Sequence, residues 1–323
     1  MSLSAIGGST GGRVLKKLGW TLLTSVLILF LASFALHQFL AMVGRTAHPV
    51  AEINIAGRRV AIWKPAGTAP PDGYPVILFS HGFTGCGTQS VFLTEGLAQA
   101  GYFVLAPNHP DAGCGPGHEG KLFEKLSTMQ SEQPFHNPDA WSKATYGDRR
   151  ADLEAILDTI LKEKSFQGVP IDSSRIGLAG HSLGGYTVLA LAGAWPSWKD
   201  RRVKAVLALS PYCAPFIMKG DLGHLDVPVM YQGGTLDIGI TPSVRRPGGA
   251  YDLTSAPKYF LDLAGAGHFA WTNLDKSYQS LINDYAVAFF DRYLKGTISP
   301  DPLAHLLDRP WPNNVSDLKH AMR

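Results

Sequence analysis

The chain has 323 residues, of which 45% are hydrophobic, and its formal net charge at pH 7 is +3. This length and hydrophobic content allow a large buried core, as in one folded domain of about 250 residues. Residues 1–50 carry four basic and no acidic residues, which leaves the rest of the chain nearly neutral. That remainder also contains no run of basic residues. We therefore expect no nucleic-acid partner. The three cysteines have no zinc or redox spacing, and we expect neither metal nor cofactor.

The N-terminal segment contains a charge-free apolar run from Leu18 to Leu36, close to the length of about 20 residues that a helix needs to cross a bilayer. Arg13, Lys16 and Lys17 precede this run, which favours a cytoplasmic N-terminus. We therefore predict a transmembrane signal anchor within residues 1–46.

With that anchor, residues 47–323 would form a folded domain on the exported side of the membrane. The alternative is a cleavable signal peptide, for which Ser33 and Ala35 offer a passable cleavage site. In that case the domain would be secreted or periplasmic.

The first elements of the domain read as strands. Glu52 to Trp63 alternates apolar and polar residues about an AGR turn, which predicts an antiparallel hairpin at a sheet edge. The apolar run Pro75 to Ser80 predicts a third strand, and the loop HGFTG follows it at His81 to Gly85. The two glycines of this loop let its backbone approach a ligand closely.

Two amphipathic helices are predicted, at Leu93 to Gly101 and Tyr146 to Lys162, on either side of a fourth strand. The stretch Asp111 to Lys143 after that strand is long, polar and rich in glycine and proline. We expect it to form one wall of a substrate site. Cys86 and Cys114 follow the third and fourth strands, so they either form a disulfide in an exported domain or remain free thiols.

The hexapeptide GHSLGG, Gly180 to Gly185, joins a strand-like run, Arg175 to Ala179, to residues with helical apolar spacing. A sharp strand-to-helix turn of this kind admits only small residues beside a central serine and pushes its hydroxyl out above the sheet. This context predicts a nucleophile elbow with Ser182 as the nucleophile.

A nucleophilic serine needs a histidine base and an acid that orients the histidine. Asp237 follows the strand-like run Val227 to Gly233, and His268 follows the run Lys258 to Leu263. Both residues come in the order that the elbow requires, so we predict the triad Ser182, Asp237 and His268. The rival candidates for the acid are Asp221, Asp226 and Asp252, and the rival candidate for the base is His224.

The reaction of such a serine also needs N–H donors for an oxyanion. We predict the amide of Leu183, directly after the nucleophile, and the amide of Phe83 in the HGFTG loop. The aromatic residues Phe83, Tyr212 and Trp271 are the candidates for substrate contact. The loops at 212–225 and 238–251 are expected over the same sheet edge, and the tail from Gly296 is expected to extend over the domain surface.

Four motifs together resemble the α/β-hydrolase superfamily: HGFTG, GYFVLAPNHPD, GHSLGGYT and AGAGHF. The resemblance runs from about Ile53 to Leu294. Within the superfamily it is similar to serine esterases such as dienelactone hydrolase-like proteins, platelet-activating-factor acetylhydrolases, chlorophyllases and cutinase-like polyester hydrolases. Dienelactone hydrolases proper have cysteine at the elbow where Ser182 stands, and the cysteine pair that cutinase-like enzymes often carry near the C-terminus is absent.

The resemblance implies an eight-stranded, mostly parallel sheet with helices on both faces. It also implies hydrolysis of carboxylic esters, without a cofactor, through an acyl-enzyme. A serine peptidase or amidase on the same fold uses the same triad and stays open as an alternative. A membrane-anchored binding module that has lost activity is the alternative outside the enzymes.

Overall fold

The computed structural model describes residues 51–114, 137–296 and 300–322. The predicted anchor segment and its boundary at residue 46 lie outside these ranges, as does most of the stretch 111–143. Within the described ranges, no helix has the length and apolar character needed to cross a membrane.

The described residues form one ten-stranded mixed sheet, where the resemblance implied eight strands. The strands are β1 Ala51–Ile55, β2 Arg58–Trp63, β3 Tyr74–Ser80, β4 Phe103–Pro107, β5 Ser165–Phe166, β6 Val169–His181, β7 Val203–Leu209, β8 Val229–Gly234, β9 Lys258–Leu263 and β10 Val315–Ala321. Their spatial order is β1-β2-β4-β3-β6-β7-β8-β9-β10, and β5 pairs with β6. The two strands beyond the implied eight are the short β5 and the C-terminal β10.

The centre of the sheet is parallel, from β4 through β3, β6, β7 and β8 to β9. Its strands are continuous apolar runs because both faces are covered; every residue of β3 is buried. The antiparallel pairs lie mainly at the edges, where β1 and β2 form the predicted hairpin and β10 pairs with β9. All parallel strands therefore end at one edge, where side chains that follow them can meet.

Helices cover both faces of this sheet. They are α1 Val91–Gln99, α2 Gly147–Ile160, α3 Leu183–Leu189, α4 Ala214–Lys219, α5 Thr241–Arg245, α6 Ala250–Leu253, α7 Gln279–Phe290 and α8 Pro302–Asp308. Apolar residues of α2 and α3 pack into one buried cluster, and those of α1 and α7 pack into a second. The α/β architecture with helices on both faces is thus as predicted.

The C-terminal tail differs from the extended surface segment expected from residue 296. It contains α8 and β10, and their apolar residues Leu303 and Leu318 are buried in the second cluster. Asp301 caps α8 by accepting hydrogen bonds from Leu303 N at 2.9 Å and Ala304 N at 3.3 Å. The register of β10 shifts between Val315 and Asp317, which breaks the alternation that identifies a strand in a sequence.

The segments 212–225 and 238–251, expected as loops, contain the short helices α4, α5 and α6. Both begin beyond the carboxyl end of a parallel strand, on the edge where the sequence placed them. Proline stands in the first turn of α4 and of α5, where its missing N–H costs no intrahelical hydrogen bond.

A disulfide joins Cys86 and Cys114, the first of the two options left open by the sequence. It links the loop after β3 to the segment after β4. The amide of Gly113 adds hydrogen bonds to the carbonyl oxygens of Thr84 and Gly85, each at 3.1 Å. Cys213 is a buried free thiol.

We expect the double variant Cys86→Ser/Cys114→Ser to lose about 3 kcal/mol of unfolding free energy, because the cross-link restricts the unfolded chain. The measurement is urea unfolding with and without a thiol reductant. The reductant should destabilise the wild type and leave the double variant unchanged. Equal sensitivity of both proteins to the reductant would contradict the disulfide.

Candidate active site

The elbow at Ser182 is formed by close backbone packing where β6 turns into α3. The backbone of Ser182 has φ 55° and ψ −115°. Residues other than glycine rarely adopt this conformation, which costs about 1–3 kcal/mol. A Cβ atom at Gly184 would lie 1.9 Å from the carbonyl oxygen of Ser80, and one at Gly180 would lie 2.3 Å from the carbonyl oxygen of Gly184. Glycine is therefore required on both sides of the serine.

The structure brings the three predicted triad residues together at the carboxyl edge of the sheet. Ser182 Oγ lies 3.0 Å from Nε2 of His268. Nδ1 of the same imidazole lies 3.1 Å from Oδ1 of Asp237. Ser182 and Asp237 are each 3% exposed, whereas the His268 side chain between them is 25% exposed. This geometry suits proton transfer from the serine to the imidazole.

Asp237 is held as a carboxylate by several donors. Its Oδ2 accepts from the hydroxyls of Ser210 at 2.5 Å and Thr241 at 2.7 Å, and from the amide of Thr241 at 3.2 Å. Burial by itself raises the pKa of Asp237. The hydrogen bond and charge of His268, with the two hydroxyls, outweigh burial and hold that pKa below its ordinary value.

Ser210 is a site residue that the sequence analysis missed. Its Oγ lies 2.8 Å from His268 Nδ1 as well as 2.5 Å from Asp237 Oδ2. The carboxylate can only accept, so the Ser210 hydroxyl donates its one proton there and must accept from the imidazole. Nδ1 of His268 therefore carries the hydrogen, and Nε2 is left to accept from Ser182. The only sequence signal was a serine directly after β7.

His181, next to the nucleophile, was also missed. Its Nε2 lies 2.9 Å from the carbonyl oxygen of His268, and its Nδ1 lies 3.1 Å from the side-chain nitrogen of Gln89. Burial, reinforced by the charge of His268, lowers the pKa of His181 to about 3. The neutral ring therefore donates to the His268 carbonyl and accepts from Gln89. Gln89 Oε1 in turn accepts from Gly82 N at 3.0 Å.

Of the two predicted oxyanion donors, Leu183 N follows the nucleophile directly and Phe83 N belongs to the HGFTG loop. A Cβ atom at Gly82 would lie 3.4 Å from that of Ser182, so the HGFTG loop borders the serine. In the part of the chain that the structure describes, Phe83 N and Leu183 N have no acceptor, whereas Thr84 N donates to Asp111 Oδ2 at 3.1 Å. Both unpaired amides are thus available to a ligand, and their catalytic role remains a prediction.

The three residues predicted to contact substrate differ in how deeply they are buried. Phe83 is half-buried and packs against the first apolar cluster, consistent with a pocket wall. Tyr212 is 6% exposed and packs beside Trp141, so most of its ring belongs to the core. Trp271 is fully buried, and its indole donates to Gln232 Oε1 at 3.1 Å, so it supports the His268 loop instead of contacting substrate.

Three apolar residues next to the triad in sequence are exposed instead. Leu236 and Ile238 flank Asp237 and are 66% and 82% exposed, and Phe269 follows His268 and is 52% exposed. Their exposure could not be predicted from the sequence, because apolar residues after strands are usually buried.

The rivals for the acid and the base lie in other hydrogen-bonded pairs. Asp221 and His224 pair with each other, and Asp226 pairs with Lys199 on the surface. Asp252 accepts from Gly248 N at 2.9 Å. Asp237 and His268 are thus the acid and histidine that adjoin Ser182 among these candidates.

The chain belongs to the alpha/beta hydrolase family, whose model matches residues 77–322. The model of platelet-activating factor acetylhydrolase, isoform II, matches residues 33–118.

Individual relatives are more distant. Cutinase 2 of Thermobifida cellulosilytica is 27% identical over 224 residues, which cover 68% of this chain and 69% of the relative. Cutinase cut1 of Thermobifida fusca is 27% identical over 68% of this chain, but the match spans only 56% of that relative's length. A platelet-activating factor acetylhydrolase of Cavia porcellus is 24% identical over 48% of this chain and 38% of its own length.

We expect Ser210→Ala to lower kcat for p-nitrophenyl acetate by about tenfold, because the imidazole and carboxylate both lose a hydrogen-bond partner. Ser243→Ala is the matched control: its hydroxyl donates to the Ile240 carbonyl at 2.7 Å on the neighbouring α5. Equal kcat values for the two variants would show that Ser210 does not order the His268–Asp237 pair.

Proposed function

We propose that this protein is a serine hydrolase that cleaves carboxylic esters through Ser182, His268 and Asp237. The observation that carries the proposal is the continuous hydrogen-bonded series from Ser182 Oγ through the His268 imidazole to Asp237. It stands beside two backbone amides, of Phe83 and Leu183, that have no acceptor among the described residues. A nucleophile, its base, the orienting acid and the oxyanion donors are the parts that acyl transfer requires.

In the proposed reaction, His268 Nε2 takes the hydroxyl proton as Ser182 Oγ attacks the ester carbonyl carbon. The carbonyl oxygen becomes an oxyanion that accepts hydrogen bonds from Phe83 N and Leu183 N. His268 then gives its proton to the departing alkoxide, which leaves as an alcohol, and the acyl group stays on Ser182. Water, deprotonated by His268, releases the acid and restores the serine hydroxyl.

Asp237 remains ionised throughout this cycle. Its lowered pKa keeps the carboxylate charged at neutral pH, where it stabilises the imidazolium that forms during each proton transfer. Ser210 fixes the tautomer in which Nε2 faces the nucleophile. The site is thereby set for proton transfer before substrate arrives.

Two observations support esters as the substrates. The relatives include proteins named as cutinases and as a platelet-activating factor acetylhydrolase. Leu236, Ile238 and Phe269 present exposed apolar side chains beside the triad, which favours a substrate with an apolar acyl or alcohol group.

The test is hydrolysis of p-nitrophenyl esters from acetyl to palmitoyl, with a parallel series of p-nitroanilides. Ser182→Ala should lower ester kcat at least about 10⁴-fold. Ser316→Ala, a serine exposed on β10, is the control and should retain wild-type turnover. Faster turnover of anilides than esters would favour the amidase alternative. Equal, background-level rates for wild type and Ser182→Ala on both series would overturn the proposal.

We also propose that the domain works on the exported side of a membrane, retained by the apolar segment 18–36. The basic residues before that segment support this orientation, and the Cys86–Cys114 disulfide supports an oxidising compartment. A membrane-impermeant fluorophosphonate should label the wild type, and not Ser182→Ala, in intact spheroplasts. Labelling that appears only after lysis would contradict export.

A further inference from the structure

We propose that Arg149 is a positioning residue for the oxyanion hole. Its guanidinium binds the carbonyl groups of His81 and Gly82 and so directs the N–H of Phe83 toward the catalytic centre. The inference rests on the proposed ester hydrolysis and assigns a cause to the geometry of one of its oxyanion donors.

Arg149 lies on α2 and is fully buried beneath the HGFTG loop. A guanidinium has five N–H donors in a rigid plane, and here each has an acceptor. Nε donates to Asp111 Oδ1 at 3.0 Å. Nη2 donates to Asp111 Oδ2 at 2.7 Å and to Gly82 O at 3.2 Å, and Nη1 donates to His81 O at 2.7 Å and to Ser80 Oγ at 3.4 Å. All five contacts together allow one orientation of the group.

Asp111 balances the buried positive charge. Burial by itself raises the pKa of Asp111, but the Arg149 guanidinium outweighs burial and holds that pKa well below its usual range. The carboxylate grips the guanidinium through two parallel hydrogen bonds and also accepts from Thr84 N at 3.1 Å. The pair therefore fixes both ends of the loop segment that contains Phe83.

The link from Arg149 to the oxyanion hole is the peptide group between Gly82 and Phe83. In a trans peptide the C=O and the following N–H point in opposite directions. Gly82 O accepts from Arg149, from Gly85 N at 3.0 Å and from His81 Nδ1 at 2.7 Å. With the carbonyl end held by these donors, Phe83 N must point away from them, and it meets no acceptor among the described residues.

The amides on either side of Phe83 are already used. Gly82 N donates to Gln89 Oε1 and Thr84 N donates to Asp111 Oδ2. Phe83 N is therefore left as the donor of this three-residue stretch that a substrate oxygen can use. A rotated Gly82–Phe83 peptide would break the carbonyl contacts and remove that donor.

A second buried hydrogen-bonded series, which begins at Ser80 at the end of β3, also contacts Arg149. Ser80 Oγ lies 2.9 Å from Nε2 of His109, and Nδ1 of His109 lies 2.8 Å from Asp152 Oδ2. These three residues repeat the Ser–His–Asp order of a triad, but Ser80 is fully buried and reaches no substrate. Burial, with the charge of Arg149, keeps the pKa of His109 well below its usual range. The neutral ring accepts from Ser80 and leaves the serine oxygen to Arg149.

The test variant is Arg149→Lys, which keeps the positive charge but offers three donors from one nitrogen and cannot bind all five acceptors. We expect kcat for p-nitrophenyl esters to fall about 10–100-fold with KM within about threefold of wild type, because one oxyanion donor is misdirected. The inhibition constant of an alkyl trifluoromethyl ketone should rise by a similar factor. Its tetrahedral adduct with Ser182 carries an oxyanion in the same position.

Arg175→Lys is the matched control. Arg175 also pairs with an aspartate, Asp172, and donates to a backbone carbonyl, Gly73 O at 2.8 Å, but it lies near the amino end of β3, away from the site. Its kcat and inhibition constant should stay within about twofold of wild type. Asp111→Asn is the second test variant and keeps Arg149 in place while weakening its anchor, so kcat should fall about 3–10-fold.

The inference is overturned if Arg149→Lys and Asp111→Asn keep kcat within about twofold of wild type. It is also overturned if kcat falls while the trifluoromethyl ketone binds as tightly as before, since the loss then has another origin. Should Arg149→Lys fail to fold, Asp111→Asn decides by the same two measurements. Wild-type turnover that does not depend on Ser182 would instead refute the proposed function, which separates the two failures.

Discussion

The close approach of Gly184 to the carbonyl oxygen of Ser80 fixes the geometry on which the rest of the site depends. It lets β6 turn into α3 directly against the end of β3, at a separation that no side chain on residue 184 permits. The nucleophile, the amide of Leu183 and the HGFTG loop are thereby brought to one point on the sheet edge. Every residue of α3 is buried, and this packing offsets the energetic cost of the positive φ at Ser182.

Around that point, buried polar residues give the loops fixed positions. Neutral His181 joins the nucleophile strand to the carbonyl of His268 and, through Gln89, to Gly82. Arg149 and Asp111 hold the other side of the same loop. A buried polar group destabilises the fold when it is unpaired, whereas a fully hydrogen-bonded one holds its neighbours in place. The site thus relies on networks whose members satisfy one another, and loops that would otherwise move become part of the scaffold.

The sequence was sufficient to predict the α/β fold class, the sharp turn at Ser182 and the proximity of Asp237 and His268 to it. Each depends on a local pattern: a glycine-flanked serine, or a polar residue after an apolar run. Ser210 and Arg149 were not predictable in this way. Their contacts join β7 to two loops and α2 to the loop after β3, and no spacing in the chain reports such pairings. Trp271 is buried although it was predicted to contact substrate, because proximity to His268 in sequence does not specify the side of the loop on which a ring packs. The last strand, β10, was not predicted because its register shift interrupts the alternation of apolar and polar residues.

Ser182 is the proposed nucleophile of this site, and mapping where a fluorophosphonate reacts on the intact protein tests this role most directly. Mass spectrometry of the digested adduct should find one equivalent of label on the peptide that contains Ser182. The rate of labelling should fall strongly in His268→Ala, which lacks the base that activates the serine. Label on another serine, or an unlabelled protein that still turns over esters, would contradict the assignment of Ser182 as the nucleophile.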